Sequence, residues 1–151
     1  MASVLNSPRC LNCHVPGDNP LQGDDNHTHS MKVARGTDGK GTPAMQCVAC
    51  HQDSNVTTPH APPGVSGWRM PGAESPMAWV GLPASKLCRV LKDPATNGNR
   101  SLADLVEHVR TDKIVNWAWA PGPGRTLPPI SHTAFVDAVK AWIDAGAPCP
   151  E

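Results

Sequence analysis

The chain is expected to fold as one mostly α-helical domain whose first half is long irregular loop. Three observations lead there. Its 151 residues suit one domain and would cramp two. Its 13 glycines and 17 prolines make up about a fifth of the chain and are densest between residues 15 and 84. Apolar residues recur at helical spacing only after residue 85, and no segment shows the alternation of a half-buried strand. Residues 1–84 are therefore the loop-rich part of a single domain, 1–151, and residues 85–151 its helical part.

In chain order, residues 1–9 form a short lead-in of one or two helical turns ending near Pro8. Residues 15–46 are loop, because Gly17, Asp18, Pro20, Gly23, Gly36, Gly39, Gly41 and Pro43 break any longer periodicity. Residues 52–84 continue in that manner through Pro59, Pro62, Pro63, Pro71, Pro76 and Pro83. Ser85 is the expected cap of a helix through Lys86 to Leu91, with Leu87, Cys88 and Leu91 on one side. Ser101-Leu102-Ala103-Asp104 has the form of a capping box and opens a helix with Leu102, Leu105, Val106 and Val109 on one face. Residues 126–129 are extended or turn. A last helix begins at Ser131 or Thr133, is apolar at Phe135, Val136, Val139, Trp142 and Ile143, and stops at Gly146 and Pro148. Loops as long as those of the first half are unusual in a compact domain unless they surround a ligand.

Composition excludes several classes. Hydrophobic residues (39%) plus glycine make about 48%, so the whole chain is not disordered. Thirteen basic residues balance thirteen acidic ones, and no global charge recruits nucleic acid or anionic lipid. No apolar run approaches the roughly 18 residues of a membrane-spanning helix. With five Trp, one Phe and no Tyr, large side chains are scarce, and a loop-rich chain needs another source of buried apolar volume.

The cysteines suggest that source. Cys10-Leu11-Asn12-Cys13-His14 and Cys47-Val48-Ala49-Cys50-His51 both read C-x-x-C-H, the attachment signature of c-type haem. Two thiols three positions apart can add across the two vinyl groups of one porphyrin, and the adjacent imidazole then lies under the iron. A structural zinc site would use the four cysteines but leave the histidine at the same offset twice unexplained. A thioredoxin-type pair needs a strand before it, and neither residues 7–9 nor 43–46 read as one. The expectation is two covalently attached haem c groups, held by Cys10, Cys13 and His14 and by Cys47, Cys50 and His51. The motifs lie 37 positions apart, but nothing beyond them repeats. The fold class becomes a single-domain dihaem cytochrome c, mostly α with long haem-wrapping loops.

Haem attachment of this type belongs to an oxidising compartment, where Cys88 and Cys149 are expected to pair. Closing that loop is worth about 4 kcal/mol on the chain-entropy model. Both chemistries imply a periplasmic or extracellular setting. Met1-Ala2-Ser3 opens no signal peptide, so the precursor is expected to carry one.

The occupant of each iron's sixth position decides the chemistry. His27, His29, His60, His108 and His132 remain, with Met31, Met45, Met70 and Met77. Two histidines per iron is the leading arrangement, with a methionine ligand or an open position as alternatives. His108 sits beside the apolar face of its helix, which suits a ligand held by the scaffold. His27 and His29 alternate in the wrapping loop, so one of them points inward. His60 lies nine residues after His51 in a stiff Pro-rich segment, and His132 belongs to a helix start. Met70 and Met77 read as packing filler. Trp117 and Trp119 are core residues or a cover over a haem. The loop 35–41 lacks the phosphate-loop pattern, and its Arg35 and Lys40 suit hydrogen bonds to haem propionates.

The two C-x-x-C-H motifs, together with Leu21-Gln22-Gly23-Asp24-Asp25, Arg35-Gly36-Thr37-Asp38-Gly39-Lys40-Gly41, Met77-Ala78-Trp79, Leu91-Lys92-Asp93-Pro94, Glu107-His108-Val109 and Trp117-Ala118-Trp119-Ala120-Pro121-Gly122, give the chain a resemblance along nearly its whole length. It resembles a family of small bacterial dihaem proteins often labelled isoquinoline 1-oxidoreductase subunits. The resemblance implies electron transfer beside a periplasmic molybdenum hydroxylase or another oxidoreductase. It also implies His29 and His108 as the distal ligands, with His60 in reserve.

Two function classes follow. The first is a periplasmic electron carrier with bis-His haems and a redox partner protein, no nucleic acid and no membrane span. No paired carboxylates, Ser-His-Asp set or nucleotide loop points to catalysis by the chain itself. The second is a haem enzyme or gas sensor, peroxidase-like or nitric-oxide binding, with one iron open.

Overall fold

Two short helices, α1 (Ala2–Leu5) and α2 (Pro8–Leu11), open the chain in a computed structural model that describes residues 1–151. Pro8 begins a helix rather than ending one. It occupies the first helical position, where its missing N–H costs nothing and its fixed φ is already helical. The next seventy residues are loop, with two exceptions that the sequence did not announce. Strands β1 (Leu21–Gln22) and β2 (His27–Thr28) pair antiparallel, as do β3 (Gly41–Thr42) and β4 (Met45–Gln46). Two residues per strand are too few to show a period of two. A 3₁₀ turn, Cys47–Ala49, follows directly.

Helix α3 (Ala84–Lys92) starts two residues earlier than expected, after Pro83. Pro83 holds the extended entry, and no side chain caps the helix, so Ser85 lies inside the first turn. Helix α4 (Leu102–Thr111) opens on the anticipated box. Ser101 Oγ accepts from the Asp104 N–H at 3.2 Å, and Asp104 Oδ2 accepts from the Ser101 N–H at 3.0 Å. Helix α5 (Lys113–Trp117) is too short to carry an amphipathic signature. It forms because Asp112 Oδ1 accepts from the N–H groups of Ile114 (2.8 Å) and Val115 (3.2 Å). Helix α6 (His132–Asp144) is capped by Ser131 and packs against α4.

The core gathers α1, α3 and α6 around the loop residue Trp79: Val4, Leu5, Trp79, Leu87, Phe135 and Val139 are all buried. Cys88 and Cys149 form a disulfide across 61 positions, tying α3 to the end of the chain, while Cys10, Cys13, Cys47 and Cys50 are free thiols. Arg35 is 1% exposed and donates to three carbonyls, Pro71 (2.7 Å), Val15 (2.9 Å) and Gly17 (2.7 Å). It pins three loop segments together and has little left for a propionate. Lys40 is paired with Asp38 at 3.1 Å. No helix is long and apolar enough to cross a membrane.

Candidate functional site

Each C-x-x-C-H motif sits on one short turn. Cys10 and His14 straddle the end of α2, where the His14 N–H bonds the Cys10 carbonyl at 3.1 Å. The 3₁₀ turn repeats this with the His51 N–H on the Cys47 carbonyl at 2.9 Å. Such a turn sets the two thiols and the imidazole on neighbouring faces of one small structure. Burial pushes the Cys10 thiol up to about 11, against the hydrogen bond from Ser7 that favours its anion. Cys13 is pushed up to about 12, by burial first and then by the neighbouring sulfurs of Cys10 and Cys47. The two motifs are thus close enough for Cys13 to feel Cys47. Cys50, by contrast, is exposed.

The two histidines have matching surroundings. His14 Nδ1 lies 2.9 Å from the Met77 carbonyl, and its ring stacks on Trp79 with centroids 3.5 Å apart and planes 1° from parallel. His51 Nδ1 lies 2.8 Å from the Pro63 carbonyl, and its ring stacks on Trp68 at 4.3 Å and 6°. A carbonyl only accepts, so in both rings Nδ1 carries the proton and Nε2 presents a lone pair. This is the tautomer a metal-bound histidine uses, with its second nitrogen fixed by an outer partner. Burial lowers both pKa values, to about 4 for His14, which keeps the imidazoles neutral.

The carbonyl acceptors are held by their own loops. Met77 adopts a left-handed conformation, φ 45°, to aim its carbonyl at His14. After Pro63, a side chain on Gly64 would sit 2.2 Å from the Ser54 carbonyl and 2.4 Å from that of Gln52, so only glycine lets the chain pass. Asn55 locks this crossing: its Oδ1 accepts from the Gly64 N–H (3.0 Å) and from Trp117 Nε1 (2.9 Å).

Of the remaining histidines, two face the motifs. His29 lies opposite His51 with ring centroids 6.2 Å apart and planes at 59°. Ligation through Nε2 needs the His29 proton at Nδ1, which would release the long 3.3 Å bond that Nδ1 now accepts from the Met31 N–H. His108 lines the same apolar cleft as His14, together with Cys10, Cys13 and Trp119. Its Nδ1 is 3.6 Å from Asp112 Oδ2, and Arg69 lies 3.8 Å from the same carboxylate oxygen. Burial lowers the pKa of His108, with Arg100 adding to the effect, and burial lowers that of His29. The cleft is lined mostly by apolar side chains and opens to solvent at its mouth.

The other three histidines are placed elsewhere. His27 Nδ1 is paired with Asp25 at 2.6 Å on the surface. His60 is exposed and lies against Gly124. His132 opens α6, with Nε2 at 2.7 Å from the Val109 carbonyl and its ring on Trp119. Trp117 and Trp119 are partly buried walls of that cleft, and Trp119 also packs against the core. No three His, Cys, Asp or Glu side chains converge on one point, so the cysteines stand in two pairs rather than as one four-sulfur cage. Sequence reasoning missed the parts that orient His14 and His51: Trp79, Trp68 and the carbonyls of Met77 and Pro63. Backbone acceptors carry no residue signature, and the tryptophans lie 17 and 65 positions from the rings they cover.

No family model matches the chain, and neither a curated protein nor a solved structure is significantly similar to it.

Proposed function

We propose that the protein is a periplasmic or extracellular electron carrier holding two covalently attached haems of c type. The observation that supports this best is the matched setting of His14 and His51. Each gives its Nδ1 proton to a backbone carbonyl, each lies flat on an indole, and each keeps Nε2 available. A zinc or redox reading of the cysteines does not call for that arrangement twice. Cys10 and Cys13 would hold one haem over His14, and Cys47 and Cys50 the other over His51. In this reading His108 and His29 would close the two sixth positions. When bound, each haem supplies one reversible electron at its iron.

The chain's own residues keep four imidazoles neutral, orient two of them through carbonyls, and wall the first site with Leu5, Val109 and Phe135 against water. Around the second site, Met31, Met45, Val48 and Val56 are large apolar side chains left 41–58% exposed. They flank His29 and the Cys47–His51 turn, where an attached macrocycle would cover them. The partner in this reading is a redox protein, and a molybdenum hydroxylase is the candidate that the sequence resemblance implies.

The test is to produce the chain with a c-type maturation system and measure haem that survives denaturation. Two haems per chain are expected, and Cys13→Ala or Cys50→Ala should each leave one single-thioether haem with a shifted pyridine haemochrome band. Low-temperature spin-resonance spectra should show two low-spin irons, and added carbon monoxide should change neither. Absence of covalent haem overturns the reading. A carbon monoxide band from half the haem would favour an enzyme or gas sensor with one open iron.

A further inference from the structure

The first cleft has two chemically different ends. Cys10 and Cys13 line one. The other, an adjoining cavity that shares His14, Trp79 and His108 as walls, is lined by Met77, Asn97 and Arg100. Arg100 makes no ion pair, and its one side-chain hydrogen bond goes to the Asn97 carbonyl at 3.0 Å. Its charge is felt at both His14 and His108. The loop before α4 is built to hold it there. Asn97 is 2% exposed; its Nδ2 donates to the carbonyls of Leu91 and Arg100 (2.9 Å each), and its Oδ1 accepts from the Arg100 N–H at 2.8 Å. A Cβ on Gly98, which has φ 79°, would fall 2.4 Å from Arg100 Nη1. Trp79 lines this same cavity, and its Nε1–H is buried and has no partner. A donor so placed is costly until something accepts from it.

A porphyrin that joins two thiols through its vinyl groups carries its two carboxylate side chains on the other half of its rim. Thiols at one end of a cleft therefore place carboxylates at the other. We propose that Arg100 and the Trp79 Nε1–H hold the carboxylate side chains of the first-site haem. This rests on the haem reading above and adds the anchor to it. It also takes the place expected of Arg35, whose donors are spent on three loop carbonyls. A guanidinium and an indole N–H are both pure donors, and their fork-and-point geometry suits carboxylate oxygens.

The experiment uses the holoprotein with haem carboxyls labelled with carbon-13, and reads the labelled carboxylate bands in redox-difference infrared spectra. Trp79→Phe keeps the stack on His14 and the net charge but removes the N–H, and it should shift a labelled band. Arg100→Met should shift a band and lower the midpoint potential of one haem only, because a cation that opposed the oxidised iron is gone. Arg100→Lys should restore the potential but not the band, since an ammonium lacks the planar fork. Labelled bands unchanged in Trp79→Phe and Arg100→Met, with both haems attached and low-spin, would overturn the assignment. A chain without covalent haem fails at the earlier step and is recognised as such.

Discussion

Removing the Cys88–Cys149 bridge should cost the protein a large part of its stability margin. The bridge closes a loop of 61 positions that contains α4, α5 and α6, hence His108, Phe135 and Val139. On the chain-entropy model a loop of that size restrains the unfolded chain by about 4 kcal/mol. Total stabilities of single domains are about 5–15 kcal/mol, so the loss is large. At about 2.1 cal/mol/K per residue, the unfolding entropy of a 151-residue chain turns 4 kcal/mol into a fall in Tm of roughly 10–13 °C. Packing adds little at one end and something at the other: Cys149 is half-buried and Cys88 is 5% exposed. Cys149→Ala and the Cys88→Ala/Cys149→Ala pair break the same cross-link, so their Tm values should agree within a few degrees of each other while both fall well below wild type. The assay is thermal unfolding of the oxidised holoprotein followed by far-ultraviolet circular dichroism. A loss below about 1 kcal/mol for both variants would mean that the unfolded chain is already held by other restraints, and the loop argument would be refuted.

Three further outcomes are expected. Asn97→Ala leaves two carbonyls and the Arg100 N–H without their partner, and should destabilise by about 2–3 kcal/mol in denaturant titration; a change within 0.5 kcal/mol, on the ordinary scale of surface substitutions, would contradict the role given to that loop. In the chain made without haem, burial holds His14 at about 4 and lowers His51, His29 and His108. A histidine depressed below its unfolded value of about 6.5 stabilises the fold fully above that value and loses the contribution as pH falls through the folded one. Stability should therefore decline between about pH 6.5 and 4, by about 3 kcal/mol from His14 alone, and a flat profile across that window would contradict it. Finally, His29→Ala and His108→Ala should each alter the low-spin spectrum of one haem, and not the same one; an unchanged spectrum would transfer the ligand role to His60 or another residue.

The C-x-x-C-H turns, whose residues stand at fixed short spacing, were legible from the chain alone. Two thiols and an imidazole within five positions depend only on local geometry, and the same holds for the Ser101–Asp104 box, the Ser131 cap and the turns at glycine and proline. A pair of opposite function, such as Cys88 with Cys149, was legible because four of the six cysteines were already spoken for. What the chain did not reveal are contacts between segments far apart in sequence. The two-residue strands arise because β1 meets β2 and β3 meets β4 across tight turns, not from any side-chain alternation. Arg35 was expected to face a carboxylate, but folding spends it on three loop carbonyls. Trp79, Trp68, Met77 and Pro63 became the partners of His14 and His51 only when their loops crossed, and Arg100 reached its cleft only through the Asn97 turn. Spacing along the chain settles which atoms can act together within one turn. Which acceptor, indole or cation stands beside them depends on long-range packing, and this chain, with its irregular first half, leaves that to the tertiary structure.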